Sequence, residues 1–230
     1  MFYITGDTHR DFERIEEFCD YYGTTEDDVL VILGDAGINF YLDESDYEVK
    51  RELAELPVTL FCIHGNHEER PFMIDGYEEQ EWRGGIVYVE AEFPRLLFAK
   101  DGEIFDFDGK KAIAIGGAYS IDKFWRITNN APWFPTEQPD EKTMRYVEKQ
   151  LEKNKWTVDY VFSHTCPRRH EPTDLFLPSM NQGMVDSTTG EWLNKIEDKL
   201  SFESWYFGHF HADRMEGQFT MLFQEIEELD

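Results

Sequence analysis

Short apolar runs recur along the chain, and each gives way to a small residue followed by a side chain able to bind a metal ion. Phe2-Tyr3-Ile4-Thr5 leads into Gly6-Asp7-Thr8-His9, and Val29 to Leu33 leads into Gly34-Asp35. Val58 to Ile63 leads into His64-Gly65-Asn66-His67-Glu68. Tyr160-Val161-Phe162 leads into Ser163-His164, and Trp205-Tyr206-Phe207 into Gly208-His209-Phe210-His211. Such runs, rich in β-branched and aromatic residues, predict buried strands with the polar residues just past their ends.

Between the strands the period changes. Phe12, Ile15, Phe18 and Tyr22 recur at spacings of three and four, which predicts a helix over 11–22. Residues 46–56, 140–153 and 190–199 read the same way, with Met144, Val147 and Leu151 on one face of 140–153. In 86–115 the helical period is lost. Ile86-Val87-Tyr88-Val89 and 103–108 are β-rich, and Asp108-Gly109 predicts a hairpin turn. Strand–helix alternation with an inserted hairpin region predicts an α/β sandwich with mixed sheets. No repeat, linker or composition break divides the chain, so 1–230 reads as one domain. Ligands of open α/β sheets bind beyond the carboxyl ends of the strands, where all five polar clusters fall.

Charge narrows the partners. The 230 residues carry 22 Lys+Arg against 48 Asp+Glu, a formal charge of −26, which repels polyanions and disfavours long nucleic acid. The C-terminal acidic run Glu225-Ile226-Glu227-Glu228 reads as solvated surface. A content of 41% hydrophobic and 16% aromatic residues supports a packed core. The longest aliphatic run, Val29 to Leu33, falls far short of the ~20 residues of a membrane span. The first residues have neither the basic segment nor the apolar stretch of a leader. Cys19, Cys62 and Cys166 are odd in number and widely spaced, which argues against a disulfide framework and for a cytoplasmic setting. Oligomeric state is left open.

Five of the seven histidines (His9, His67, His164, His209 and His211) lie in the strand-end clusters. Alone, each would more often be a packed side chain; their joint occurrence points to metal. Imidazole and carboxylate suit divalent transition metals. Asp7 and His9, two residues apart, can face one ion, as can His209 and His211. With Asp35, Asn66 and His164 the set exceeds what a mononuclear site uses. A pair of ions ~3.5–4 Å apart is the arrangement that clamps phosphoryl displacement. Arg126 follows a glycine-rich segment and is the candidate for substrate phosphate, because a guanidinium forks onto phosphate oxygens. Tyr119 is a weaker substrate-binding candidate. His64 reads as structural or supporting, Cys166 as off the metal, and Arg168, Arg169 and His170 as solvated surface.

The order Asp7-x-His9, Gly34-Asp35, Gly65-Asn66-His67-Glu68, His164, Gly208-His209-x-His211 resembles the calcineurin-like metallophosphoesterase superfamily. The segment Gly116 to Lys123, with Arg126 and Trp133-Phe134, is similar to small bacterial and phage-type members. The resemblance implies a four-layer α/β/β/α sandwich of two mixed β-sheets around two divalent ions, manganese foremost, with iron, zinc or nickel as alternatives. It implies Asp7, His9 and His211 as ligands of the first ion and Asn66, His164 and His209 of the second. Asp35 is then the bridging carboxylate, and His67 donates a proton or hydrogen bond to the leaving group. The implied activity is hydrolysis of phosphomonoesters or phosphodiesters by a metal-bridging hydroxide. Two departures stand out. Ile38 occupies the place where many members carry an Asp that orients the catalytic histidine, so His67 needs another orienting group. The Asp-Arg-Gly continuation of protein serine/threonine phosphatases is also missing. Rival readings are a nuclease or RNA-debranching enzyme, disfavoured by charge, and a non-catalytic scaffold. Scaffolds tend to lose ligands or the catalytic histidine, whereas all eight positions are filled here.

Overall fold

The computed structural model describes residues 1–176, 183 and 185–229. The chain begins β1 (Phe2–Thr5), α1 (Glu13–Tyr22), β2 (Val29–Ile32), α2 (Glu44–Ala54) and β3 (Thr59–Cys62), then β4 (Tyr77–Trp82), β5 (Gly85–Glu90) and β6 (Leu96–Ala99). It continues with β7 (Ile104–Phe107), β8 (Lys110–Ile115), α3 (Lys123–Asn129), α4 (Glu141–Lys153) and β9 (Tyr160–Ser163). The last elements are α5 (Thr188–Glu197), β10 (Ser204–Phe207), β11 (Arg214–Glu216), β12 (Phe219–Met221) and β13 (Ile226–Glu228).

Two mixed sheets result. The first has seven strands in the order β13-β1-β2-β3-β6-β5-β4, the second six in the order β11-β12-β10-β9-β8-β7. In each, four central strands are parallel: β1, β2, β3 and β6 in one, β8, β9, β10 and β12 in the other. Antiparallel strands occupy the edges.

Strand periodicity of two sorts the apolar runs into layers. Val31, Phe61 and Leu97 turn inward to meet Ala114, Phe107 and Phe162 of the second sheet. The alternate residues Leu30, Ile32, Leu60 and Phe98 turn outward beneath Ile15 and Cys19 of α1 and Leu53 of α2. Ile113, Val161 and Trp205 likewise pack under Val147 and Leu151 of α4 and Leu193 and Ile196 of α5. Three apolar layers separating helix, sheet, sheet and helix make the four-layer α/β/β/α sandwich.

The predicted helices form with shifted ends. The segment expected at 46–56 starts at Glu44 because the Asp43 carboxylate accepts the Ser45 N–H at 2.9 Å and caps it. Asp108-Gly109 makes the expected hairpin, both residues having positive φ (53° and 95°) between the paired Phe107 and Lys110. The acidic C-terminal run is more than solvated surface, since β13 within it pairs antiparallel with β1 and closes one edge of the larger sheet. At the opposite edge β4 carries Glu78, Glu79 and Glu81 facing solvent. Charged edge strands keep unpaired backbone from recruiting other chains. Cys19, Cys62 and Cys166 are free and buried. Among the described residues no helix is long and apolar enough to cross a membrane.

Candidate metal centre

The seam between the two sheets gathers the strand ends. Asp7 follows β1, Asp35 follows β2 and Asn66 follows β3 on one sheet; His164 follows β9 and His209 follows β10 on the other. Cross-sheet hydrogen bonds hold this seam. His164 Nδ1 lies 2.7 Å from the Leu33 carbonyl, and the His209 N–H donates to Asp7 Oδ1 at 2.8 Å.

Glycines permit the approach. A Cβ on Gly65 would fall 2.0 Å from Asp35 Oδ1, and one on Gly208 would fall 2.2 Å from Asp7 Oδ1. The carboxylates therefore pack directly against backbone that carries no side chain.

Two clusters of donor atoms face each other. In the first, His9 Nε2 and His211 Nε2 stand 2.8 Å apart and lie 3.6 and 3.3 Å from Asp7 Oδ2. Stacking on Phe223 at 4.7 Å holds the His211 ring. In the second, His164 Nε2 lies 2.8 Å from Asn66 Oδ1 and 3.6 Å from Asp35 Oδ2. His9 Nε2 reaches the same Asp35 oxygen at 3.9 Å, so this carboxylate stands between the clusters. Asp7 is also close enough to share in both groups. The His209 ring lies 5.0 Å from that of His164.

The donor chemistry fits divalent cations. Asp7 Oδ2 is buried with no hydrogen-bond partner, a costly state for a carboxylate oxygen unless a cation meets it. A carbonyl can only accept, so His164 Nδ1 donates to Leu33, and in a neutral ring Nε2 is the nitrogen left with a lone pair for an ion. The Asn66 amide nitrogen donates to Ser120 Oγ at 2.9 Å, which turns Oδ1 toward His164. Asn66 Oδ1 and His164 Nε2 therefore face each other at 2.8 Å, two atoms from different sheets on which one cation can draw.

The protonation pattern agrees. Burial raises the Asp7 carboxyl, but the imidazoles of His211 and His9 outweigh it and hold Asp7 well below the ordinary range. Burial above all pushes His209 down to about 3, so its imidazole is neutral and free to coordinate. Burial opposes charge on His9, yet Asp7 and Asp35 prevail and raise it. Beneath the centre, Glu68 is pushed up to about 8, first by burial and then by Asp35, while its Oε1 accepts the Gly65 N–H at 2.8 Å.

His67 sits beside the clusters, its ring 6.0 Å from that of His9, and its backbone N–H donates to Asp35 Oδ1 at 2.7 Å. Burial and the charges of Arg126 and His9 lower its pKa against the pull of Asp35 and Asp122. Ile38, at the position of the missing Asp, is fully buried in the core under α1 and α2. The carboxylates acting on His67 are Asp35 and Asp122, the second arriving from the other half of the chain.

A cavity of about 970 Å³ opens over the clusters and is lined by both substrate-binding candidates, Arg126 and Tyr119. Arg126 Nε donates to Asp122 Oδ2 at 2.8 Å and Nη1 to the Pro132 carbonyl at 3.1 Å. His64 lies buried behind the centre, its carbonyl accepting the Gly117 N–H at 2.8 Å. Cys166 is buried in the core under α4 and α5. Arg168, Arg169 and His170 pair with Glu191, Asp198 and Glu197 of the α5 region.

Supporting residues escaped the sequence reading. Arg14 of α1 donates to the Asp7 carbonyl at 2.9 Å and to Thr5 Oγ1 at 2.7 Å, pinning the end of β1. Ser120 and Asp122 fall within or beside the glycine-rich segment already singled out, but nothing in their spacing marks the partners they meet across the fold. An arginine within an acidic helix is the only signal Arg14 offers.

The fold compares with that of TT1561 from Thermus thermophilus, at 12% identity over 96% of this chain and 87% of that one, with a TM-score of 0.53. The phosphopantetheinyl hydrolase of Mycobacterium tuberculosis aligns at 15% identity over 96% of this chain and 89% of its own, with a TM-score of 0.49. No curated protein matches in sequence. The model of the calcineurin-like phosphoesterases matches residues 1–213, which takes in every strand-end cluster described above. On that match, the chain belongs to the calcineurin-like phosphoesterase family.

Proposed function

We propose that this protein is a dinuclear metal-dependent phosphoesterase that hydrolyses phosphomonoesters or phosphodiesters. The observation that carries the reading is the placement of Asp35 Oδ2 between His9 and His164, with the orphaned Asp7 oxygen beside it. On this reading Asp7, His9 and His211 hold one ion and Asn66, His164 and His209 the other, with Asp35 touching both. When bound, divalent cations, manganese foremost, would acidify a water and neutralise charge on phosphoryl oxygens. His67, largely neutral near pH 7 because its pKa is lowered, offers its ring N–H to the leaving-group oxygen. Asp35 holds the His67 backbone, and Asp122 supplies the second carboxylate that Ile38 cannot. Arg126 and Tyr119 on the cavity wall orient the ester. Three free, buried cysteines suit a cytoplasmic setting.

The test is metal restoration. Protein stripped by chelator is expected to regain turnover of an aryl phosphate or a bis-aryl phosphate on addition of manganese. Asp35→Asn is expected to lose both bound metal and turnover, and to lose more metal than His211→Asn. Absence of metal-dependent turnover on both esters overturns the reading.

A further inference from the structure

The walls above the centre differ in character from its floor. Three loops from different strands line the cavity with apolar side chains: Phe40 and Tyr41 after β2, Tyr119 and Ile121 after β8, Leu175 and Phe176 after β9. Phe176 stacks near Phe210, which lies between the two C-terminal histidines, at a centroid distance of 6.1 Å. Tyr41, Ile121 and Leu175 are 51%, 56% and 44% exposed, so large apolar surface faces water inside a concave site. Apolar surface in a pocket that also holds a few convergent polar groups is what an organic ligand covers.

Charge on the same walls points the same way. Among the described lining residues the cations besides histidine are Arg10 and Arg126. Arg10 Nη1 pairs with Asp46 Oδ1 at 2.5 Å, and Arg126 Nε with Asp122 Oδ2 at 2.8 Å. The remaining charged wall residues outside the centre, Glu171 and Asp186, are acidic. A phosphoryl group at the centre would meet the cations its ligands are placed to hold; for a second phosphate the described walls offer carboxylates and two arginines that each already pair with one.

We infer that the cavity selects esters of a single phosphate whose alcohol is bulky and apolar, aromatic above all, over polyphosphates and nucleic-acid strands. The inference rests on the phosphoesterase reading and adds the substrate class to it. The volume of about 970 Å³ lies at the upper end of ligand pockets, which leaves space for such a group beside the phosphoryl.

Calorimetry on manganese-loaded protein with non-hydrolysable phosphonates tests it. Naphthylmethylphosphonate is expected to bind roughly tenfold or more tightly than methylphosphonate, the gain coming from buried apolar area. Propylphosphonate is expected to bind at least as tightly as the bisphosphonate with a phosphonate at each end of the same chain. In the double variant Tyr41→Ala, Leu175→Ala, both at exposed positions, the naphthyl advantage is expected to shrink while methylphosphonate affinity stays unchanged. Equal affinity for the naphthyl and methyl compounds, or tighter binding of the bisphosphonate, overturns the substrate class and leaves the phosphoesterase reading standing. If protein with measured bound manganese takes up none of the phosphonates, the phosphoesterase reading itself fails.

Discussion

His9, Asp35, His209 and His211 all have positive φ, at 47°, 48°, 69° and 51°. Non-glycine residues avoid this region, and holding one there costs roughly 1–3 kcal/mol. The strained turn is what swings a side chain from the strand axis toward the seam, and the surrounding hydrogen bonds hold it there. Of the eleven described non-glycine residues with positive φ these four are predicted ligands, and there the strained turn is part of the site's construction. His67 differs: its side chain stands off the clusters and its backbone alone holds Asp35. On the proposed role, His67→Asn lowers kcat by ~10²–10⁴ while elemental analysis finds the metal content unchanged. Unaltered turnover would remove the assigned role, and lost metal would reassign His67 to the centre's scaffold.

At the scale of elements, the ends of helices and the edges of sheets are set by single polar side chains. The Asp140 carboxylate accepts the Thr143 N–H at 2.7 Å and caps α4, and this hydrogen bond keeps its pKa below the ordinary value. Removal by Asp140→Ala is expected to cost about 1 kcal/mol at neutral pH, read by urea denaturation. A carboxyl depressed in the folded state stabilises above its unfolded pKa and loses that contribution as pH falls through the folded value. The gap between wild type and variant should therefore narrow below about pH 4, where the unfolded carboxyl begins to protonate. A gap that is constant with pH would show that the charge of the cap contributes nothing.

For the whole molecule, the centre is also a joint. Four predicted ligands, Asp7, His9, Asp35 and Asn66, follow strands of the seven-stranded sheet, while His164, His209 and His211 follow strands of the other. Ions bound among them would fasten one sheet to the other, in addition to the shared apolar layer. Binding to the folded state alone stabilises by about 2.7 kcal/mol at 100-fold excess over Kd. For a chain of this size that corresponds to a rise in Tm of roughly 5–10 °C. Scanning calorimetry with and without manganese should register the rise, and Asp35→Asn should abolish it. An unchanged Tm in protein with measured bound metal would mean that the unfolded chain binds the ions as tightly as the folded one, and would remove the joint. Of the acidic residues behind the charge of −26, Asp7 and Asp35 serve this joint, while the edges β4 and β13 show where others lie, on surfaces that would otherwise present open backbone.

How much of this was legible beforehand depends on the range of the interaction. The apolar runs of β1, β2, β3, β9 and β10 and the period of α1, α2, α4 and α5 are local signals, and they delivered the sandwich with its polar clusters at the strand ends. The family's order of motifs supplied the candidate ligands. By contrast β4, with its glutamates, has no strand pattern of its own and exists because β5 offers it an antiparallel partner. The β6 strand is parallel to β3, a pairing made over a long separation in sequence. The α3 helix buries none of its residues, so no apolar face announced it.

Residue order along the chain was sufficient to say which side chains could bind metal, because ligand type and strand-end position are written locally. Only the tertiary structure decided that Asp35 stands between His9 and His164, that Ser120 turns the Asn66 carbonyl inward, and that the charge of Asp122 acts on His67 while Ile38 lies in the core. Those are meetings of atoms from distant segments, fixed by how two sheets pack, and packing depends on the whole set of buried side chains at once.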